Sequence, residues 1–592
     1  MMEPTRLFDL LPRYEKLFNK SDMLTYKVNG KWTSFSAHEV LEDANLISYS
    51  LFDMGLYKGD KLSIISPNRP EWIMTNMGIM EAGCINVPIY PTISQTDLIY
   101  ILNDAEVKYV FVPGKELYDK VNQIKGKVPG LIDIISFDPI AGVTDWKSLL
   151  EKGKLCQNKE KLEEIKASIG THDCATILYT SGTTGNPKGV MLSHDNLLSN
   201  AIANTDAAPF GKDWKVLSFL PLNHVFERML TVLYLYRGLS IYYAESMDKI
   251  ADNLKEVQPH CFATVPRLLE KVYERIVAKG HELTGIKKQL FFWALKLGLR
   301  YELNGANGWW YEFQLKIANK LIFSKWREAL GGKVEVIVSG GAALQPRLAR
   351  VFTAAKIHVL EGYGLTETSP VVAVNSFQPN SVKFGTVGPV IKGVQVKFAE
   401  DGEIMVKGPN VMLGYYKKTA ETAEVMENGW FKTGDIGELV EGRFLKITDR
   451  KKEIFKTSGG KFITPQLIEN KLKESPYIEQ AMVIGEGHKF PAALIIPSFA
   501  GLKSWCERNN ITYTTNEEMI TKDFIVKKMQ KQVDVTNKDL AHYEAIKEFA
   551  LIPYEWSIDG GELTPKLSLR RKEIMRINES IIQKIYASEV KV

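Results

Sequence analysis

The sequence predicts an α/β protein of more than one domain, on three observations. Strand-like and helical apolar patterns alternate through the first part of the chain, which argues for parallel strands layered with helices. Beyond residue 380 the texture changes to short, glycine-punctuated β runs. A polar, charged stretch, Thr448-Asp449-Arg450-Lys451-Lys452, then separates this region from a renewed helix-and-strand pattern. The expected organisation is a large domain over 1–448 containing a small β subdomain, a hinge at 449–452, and a smaller α/β domain over 453–592. A chain of 592 residues is too long for a single core.

The elements follow in order. Phe35 to Leu51 carries apolar residues at three-to-four spacing and predicts an amphipathic helix. Lys61–Ser66 predicts a strand, Glu71–Ala82 a helix, Cys84–Ile89 a strand, Thr96–Asn103 a helix and Tyr109–Val112 a strand. Lys152–Lys166 is charge-rich and predicts a solvated helix or loop. Strands are expected at Ala175–Tyr179, Val216–Leu220, Ile241–Tyr243, Cys261–Val265, Val334–Ser339 and Ile357–Leu360, with helices starting after Pro221–Arg228 and at Pro266. Residues 280–330 show long helical periodicity with Phe291, Phe292, Trp293, Trp309, Trp310, Tyr311 and Trp326. These aromatics predict helix packing; the alternative is an apolar patch on a membrane surface or along a lipid chain. The last part predicts a helix at Gln466–Lys473, strands at Gln480–Ile484 and Ala492–Ile496, helices at Glu517–Val533 and Leu540–Lys547, and a strand at Glu548–Ile552.

Composition excludes several classes. With 75 basic and 70 acidic residues the charge is too balanced for a nucleic-acid partner. Five scattered cysteines, with no C-x-x-C pair, exclude a disulfide framework and a cysteine zinc site. The first twenty residues lack a signal-peptide core. No apolar run reaches the ~20 residues of a spanning helix; Met229–Tyr243 is interrupted by Arg237 and Gly238. A cytoplasmic protein is expected, with peripheral membrane contact through 280–330 and a homodimer both left open.

The stretch richest in chemistry is Tyr179-Thr-Ser-Gly-Thr-Thr-Gly-Asn-Pro-Lys-Gly-Val190. A buried strand opens into a loop of glycines and hydroxyls, followed by a lysine. Glycines let the backbone turn its N–H groups inward, and such a concavity suits polyphosphate. It is not the common P-loop, because Lys188 is followed by Gly189 rather than by a serine or threonine. Downstream, Gly340-Gly-Ala-Ala343 and Glu361-Gly-Tyr-Gly-Leu-Thr-Glu367 follow predicted strands, the place where open α/β sheets put ligand loops.

Together with Pro221-Leu-Asn-His224, Thr433-Gly-Asp435, Asp449-Arg-Lys-Lys452 and Lys566, these motifs occur in an order that resembles the adenylate-forming (AMP-binding) superfamily. Within it the chain is most similar to the long-chain fatty acyl-CoA synthetases, on Asn428–Pro465, Pro221–Arg228 and Leu563–Arg571. The resemblance implies that family's fold: an N-terminal domain of two layered α/β subdomains and a small β subdomain, with a mobile C-terminal domain. One departure is that Phe226-Glu227-Arg228 stand where some bacterial long-chain enzymes carry a gating tryptophan.

The resemblance also implies the chemistry: ATP activates a carboxylic acid as its acyl-adenylate, pyrophosphate leaves, and CoA displaces AMP. By this correspondence Thr180, Ser181, Gly182, Thr183, Thr184, Gly185 and Lys188 hold phosphates. Thr184 and Glu367 bind Mg²⁺, and Thr366 touches the α-phosphate. Tyr363, with Gly341, Ala342, Glu361, Gly362 and Gly364, forms the adenine side; Asp435 and Arg450 take the ribose. Lys566 bridges the carboxylate and the α-phosphate, then swings away with the small domain as Lys456, Ser458, Gly459 and Gly460 come in beside the thiol entry. His224 lies where the family separates the acyl pocket from that entry. The expected partners are therefore a fatty acid, ATP, Mg²⁺ and CoA. The readings set beside this one are an acyl-AMP ligase, a ligase for a medium-chain or aryl acid, a luciferase-like oxidation and a non-catalytic lipid- or nucleotide-binding relative.

Overall fold

The structure, a computed structural model, describes residues 3–180, 186–509, 511–557, 560–563 and 569–587. Of the expected site residues, Ser181, Gly182, Thr183, Thr184, Gly185 and Lys566 lie outside the described residues. The chain forms two compact units. One contains Met1–Val396, Met405–Lys432 and Glu441–Leu445; the other contains Lys397–Ile404, Thr433–Val440 and Lys446–Val592.

The first unit is built on two sheets. One has seven strands in the order Gly414–Tyr415, Lys188–Ser193, Cys174–Thr180, Ile85–Asn86, Lys61–Ile64, Val107–Val112, Asp133–Ser136. Its first two pairings are antiparallel and the others parallel. The other has eight strands in the order Val371–Val374, His358–Gly364, Val336–Ser339, Cys261–Thr264, Lys215–Ser218, Ser240–Tyr243, Leu24–Val28, Lys31–Phe35. Here only the two edge pairings are antiparallel. The central strands read as continuous apolar runs because parallel sheets are covered on both faces.

Helix Pro70–Glu81 shows the same physics. Pro70 occupies its first turn, where the missing N–H costs nothing, and all twelve of its residues are buried. Its apolar positions show no single face because it is enclosed all round. Helix Ala37–Asp53, capped by a Ser36–Glu39 box, packs beside it in the same core. Helix Val225–Arg237, buried over most of its length, ends at Gly238 with φ +75°. A Cβ at Gly238 would stand 2.5 Å from the Phe18 ring, so glycine is demanded there twice over.

Several expected elements change. The strand at Cys84–Ile89 shrinks to Ile85–Asn86, whereas Lys152–Lys166, expected as a solvated helix or loop, is mostly exposed and lies on helices Trp146–Leu155 and Lys159–Ser168 and the turn between them. Residues 280–330 break into Gly285–Leu299, Trp309–Ala318, a π turn at Asn319–Phe323 and Ser324–Ala329. Phe291, Tyr311 and Trp326 join the core, whereas Trp309 and Trp310 stay exposed. The β runs expected beyond 380 appear as Gln395–Phe398, Glu403–Lys407, Trp430–Val440 and Phe444–Arg450, along which the chain passes between the two units. The last of these strands runs through Thr448–Arg450, and its Asp449 is fully buried.

The second unit has a three-stranded sheet in which Ala492–Pro497 pairs antiparallel with Ile478–Ile484 and parallel with Glu548–Leu551. The single helix expected at Glu517–Val533 is two, Asn516–Thr521 and Asp523–Asn537, parted by extended backbone at Lys522. The helix expected at Leu540–Lys547 is absent; the segment turns instead. Asn537 supplies the reason, because its side-chain amide donates to Ile546 O (2.9 Å) and accepts from Ile546 N (2.9 Å). That clamp folds the chain straight back towards the sheet. Among the described residues no helix is long and apolar enough to cross a membrane.

Candidate active site

Strands Cys174–Thr180 and Lys188–Ser193 form an antiparallel hairpin that pairs Thr180 with Lys188 and Tyr179 with Gly189. The expected phosphate loop therefore closes between two residues held directly opposite each other. Gly189 is fixed by that pairing, since a Cβ on it would lie 2.7 Å from Ile177 and 3.0 Å from the Tyr179 ring. Tyr179 in turn donates its phenolic proton to Asp104 (2.5 Å), which ties strand Cys174–Thr180 to the end of helix Gln95–Asp104.

Tyr415, a residue that the sequence did not single out, joins this hairpin to the next motif. Its strand pairs with Lys188–Ser193, placing Tyr415 opposite Val190. Its ring lies 5.1 Å from Lys188 Nζ, within cation–π range. Its hydroxyl donates to Glu367 Oε1 at 3.0 Å. Burial, and then the neighbouring Glu367 carboxylate, push the Tyr415 hydroxyl well above its ordinary range, so it remains a donor. Glu367 sits in a 3₁₀ turn, Thr366–Thr368, whose shape is set by Thr368: its Oγ1 donates to Pro370 O (2.6 Å) and accepts from Leu365 N (2.9 Å). Glu367 O also accepts from Met412 N at 2.9 Å. Thr180, Lys188, Tyr415, Thr366 and Glu367 thus converge on one place.

The Gly-Gly-Ala and Gly-Tyr-Gly segments leave neighbouring parallel strands at the same end, where Ser339 pairs with Glu361. Gly341 has φ +83°, a backbone that favours glycine, and Gly364 packs so tightly that a Cβ would stand 1.7 Å from Pro370 O. Tyr363 is half-buried opposite Ala373, beside a register shift at Gly364. Glu361 is buried, and its Oε1 accepts from Leu344 N at 2.9 Å, which ties the Gly341–Ala342 loop to the Gly362–Gly364 strand end. Burial pushes its carboxyl up to about 8, against which the Leu344 hydrogen bond works.

His224 caps helix Val225–Arg237, its Nδ1 accepting from Phe226 N at 3.1 Å. Three polar side chains nail its loop down. Asn68 donates to Leu220 O (2.7 Å) and accepts from Leu222 N (2.9 Å). Asn223 donates to Ile89 O (2.5 Å), and Arg228 donates to Thr176 Oγ1 (3.1 Å) and Asn76 Oδ1 (3.0 Å). The loop after one sheet is thereby tied to strands and loops of the other. Ser218 donates to Glu227 Oε1 (2.6 Å), and burial pushes that carboxyl up to about 8. Burial alone lowers Arg228 to about 9. The Phe226 ring abuts Gly340, where a Cβ would stand 3.2 Å from Cζ, so Phe226 links the His224 loop to the Gly-Gly-Ala loop.

Asp435, Arg450, Lys456 and Ser458–Gly460 belong to the second unit. Asp435 is buried, with Arg450 Nε 3.4 Å from its Oδ1. Its turn is held by Thr433 Oγ1, which donates to Ile404 O (2.8 Å) and accepts from Asp435 N (3.1 Å). Gly434 N donates to Glu403 Oε1 (2.9 Å), and Lys451 pairs with the same carboxylate at 2.6 Å. Asp449 accepts from Arg450 N at 2.6 Å, and burial raises its carboxyl to about 7. Lys456 lies on a short hairpin strand over the Phe462 ring (5.2 Å), and Ser458, Gly459 and Gly460 form its exposed tip.

Sequence reasoning missed Asn68, Asn76, Thr176, Asn223 and Arg228 as well as Tyr415. Only Asn223 and Arg228, inside the Pro-Leu-Asn-His-Val-Phe-Glu-Arg run, carried a local signal. Two openings in the first unit lie away from the expected site residues. A cavity of about 20 Å³ beside Arg228 is lined by Trp72 and Thr231, whose Nε1 and Oγ1 lack partners among the described residues; it is roomy enough for one water. A cleft of about 890 Å³ is lined among others by Asp195, Ile202, Val374, Lys392 and Arg443.

The model of a family described as AMP-binding enzyme matches residues 17–416, and that of the AMP-binding enzyme C-terminal domain matches 452–590. The long-chain-fatty-acid–CoA ligase FadD15 of Mycobacterium bovis is 32% identical over 568 residues, covering 95% of this chain and 94% of its own. Long-chain-fatty-acid–CoA ligase 1 of Homo sapiens is 33% identical over 598 residues, covering 94% of this chain and 83% of its own. The solved anthranilate CoA ligase AuaEII, in complex with anthranoyl-AMP, superposes with TM-score 0.74 at 17% identity, over 97% of this chain and 98% of that one. A Mycobacterium tuberculosis fatty acyl CoA synthetase gives TM-score 0.60 at 19% identity, over 98% and 99%. At these identities the two structures speak for the fold alone.

Proposed function

The chain belongs to the AMP-binding enzyme family, and from that premise we propose that it is an ATP-dependent long-chain fatty acid–CoA ligase. Its FadD15 and human relatives carry that activity in their names and match nearly its whole length. In the first step a carboxylate oxygen attacks the α-phosphorus of ATP, the bond to the β-phosphate bridging oxygen breaks, and pyrophosphate leaves. In the second, the CoA thiolate attacks the acyl carbon and AMP departs.

The single observation behind the phosphate site is the convergence of Lys188, Tyr415 and Glu367 at the mouth of the hairpin. The first step brings an anion to a polyanion, so its barrier falls through charge neutralisation and positioning. Lys188 supplies fixed positive charge to the β- and γ-phosphates, and Thr366 donates towards the α-phosphate. Among the described residues no group of three or more His, Cys, Asp or Glu could hold a metal. A site with one protein carboxylate suits Mg²⁺, which keeps waters and takes further oxygens from substrate phosphates. Glu367, with Thr184, would hold that ion, which when bound draws charge off the phosphate oxygens. Tyr415 orients the Glu367 carboxylate by occupying one of its oxygens.

Tyr363 packs on adenine, the Gly341–Ala342 loop flanks it, and Glu361 positions that loop through Leu344. Asp435 accepts from the ribose hydroxyls, with Arg450 beside it. Lys566 serves the first step and Lys456, with Ser458–Gly460, the second, the small domain turning about 449–452 between them. His224 and Phe226 stand between the acyl chain and the thiol.

The test is product formation by the purified chain with ATP, Mg²⁺ and acids from acetate to oleate, following pyrophosphate and thioester separately with and without CoA. Both products are expected to peak with long acids. Acyl-AMP that accumulates indifferent to CoA would replace this reading with an acyl-AMP ligase.

A further inference from the structure

Helix Trp309–Ala318 and the π turn that follows it carry an apolar stripe left exposed among the described residues of the first unit. Trp309 (80% exposed), Phe313 (50%), Ile317 (38%) and Leu321 (48%) recur at every fourth position, and Trp310 (57%) widens the row. Residues four apart lie on one helical face. Soluble surfaces carry scattered apolar side chains, but contiguous exposed patches mark interaction sites. The rings are already arranged against one another: Trp309 and Trp310 meet edge to face at 5.7 Å, and Trp310 stacks on Phe313 at 5.6 Å.

The opposite face of the same helix is firmly seated. Tyr311, Leu315, Ala318 and Phe323 are buried, and the Tyr311 hydroxyl donates to Leu297 O at 2.7 Å. Asn319 donates to Ala354 O (2.8 Å) and accepts from Arg327 (2.8 Å). The exposed row is therefore held rigidly outward and cannot fold into the core without breaking these bonds.

Charge identifies what covers it. Lys316 and Lys320 are exposed, alternate with Phe313, Ile317 and Leu321 along the row, and are paired with no carboxylate among the described residues. The acidic side chain on this helix is Glu312, half-buried on the flank next to Lys316. Tryptophans with interleaved lysines are what the boundary of a bilayer selects: an amphipathic ring seats at headgroup depth, and a lysine reaches anionic headgroups beside it. A second copy of the chain is disfavoured, because an isologous contact through this row brings the lysines of both copies together.

We propose that the Trp309–Leu321 face docks on an anionic lipid bilayer, with Trp309, Trp310, Phe313, Ile317 and Leu321 entering the interface and Lys316 and Lys320 reading its charge. Docking stands on this surface alone; its benefit, delivery of a membrane-dissolved acid, rests on the fatty acid reading of the active site.

The experiment is co-sedimentation of the full chain with phosphatidylcholine vesicles, with and without phosphatidylglycerol. It compares the unaltered chain with W309S/W310S/F313S and with K316E/K320E. The expected result is binding to the anionic vesicles that falls at least tenfold in the aromatic variant. In the lysine variant the preference for anionic lipid and the salt dependence vanish, and melting temperatures stay the same in all three. Unchanged vesicle binding by the aromatic variant overturns the proposal. So does a chain that ignores vesicles but is a dimer by light scattering and becomes monomeric on W309S/W310S/F313S, since the face then belongs to a second copy. Pyrophosphate release with octanoate, a water-soluble acid, is expected to be equal in all three proteins. Its absence in every one, with octanoate and oleate alike and with binding intact, would count against the ligase reading and leave the docking face standing.

Discussion

The Tyr415 hydroxyl donates to Glu367 at 3.0 Å while the ring of the same residue lies 5.1 Å from Lys188 Nζ. One aromatic side chain thus touches both the carboxylate proposed for the metal and the cation proposed for phosphate. Replacing Tyr415 by Phe keeps the ring and removes the donor. A hydrogen bond to a charged group is worth about 1.5–3 kcal/mol, so Y415F is expected to slow pyrophosphate release by roughly ten- to a hundredfold, with a raised Mg²⁺ requirement. Y415L, which also frees Lys188, should be worse. Equal rates for the unaltered chain and Y415F would remove Tyr415 from the site.

Lys566 and Lys456 are proposed to serve different steps. Lys566→Ala should cut adenylation by several orders of magnitude while thioester formation from supplied acyl-adenylate survives. Half-reaction assays decide this, and a joint loss of both steps would end the swinging-domain assignment.

Asp435 is buried at a turn held by Thr433 and Glu403, with Arg450 beside it. Asp435→Ala removes the acceptor proposed for the ribose while leaving that scaffold in place. Weaker ATP binding by calorimetry is expected, and an unchanged affinity would refute the ribose role.

Two glycines should respond differently to alanine. At Gly364 the new Cβ would stand 1.7 Å from a backbone oxygen, a clash expected to cost about 3 kcal/mol and to displace the Thr366–Glu367 turn. At Gly434 the space is open but φ is +72°, so strain of about 1 kcal/mol is expected. Denaturant melts of G364A and G434A test the ranking, which fails if the two are equal.

Glu361 and Glu227 are both raised by burial from an ordinary 4.5 to about 8. Between those values the unfolded chain has ionised while the folded one keeps both protons. The folded state therefore binds more protons there, and stability, fully present below about 4.5, declines as pH rises towards 8. Glu361→Gln preserves an oxygen for Leu344 N and removes the titration, so its melting temperature should fall less steeply from pH 5 to pH 8. A profile parallel to that of the unaltered chain would mean that Glu361 is ionised when folded.

Much of the architecture was legible because it is local. The helix at Phe35–Leu51 announces itself through apolar spacing, and Ser36 and Glu39 close its first turn as a capping box. Strand–helix alternation implied parallel sheets, and both are present. Elements set by a distant partner were not legible. Leu540–Lys547 has helical spacing, yet Asn537 clamps Ile546 and turns the segment back. The aromatics of 280–330 could not be sorted by pattern, because only packing decides that Tyr311 turns inward and Trp309 outward.

The sequence by itself determined the family, the order of the motifs and the chemistry they imply, since glycines, hydroxyls and charged groups at fixed spacing carry that information within a few residues. Tertiary structure alone decided what holds those motifs in place: Tyr415 between Lys188 and Glu367, Glu361 under Leu344, and Arg228 reaching Thr176 and Asn76. Those partners are separated by 17 to 227 positions in the chain. Their contacts exist only once folding has brought these distant segments together and withdrawn their polar groups, wholly or in part, from water.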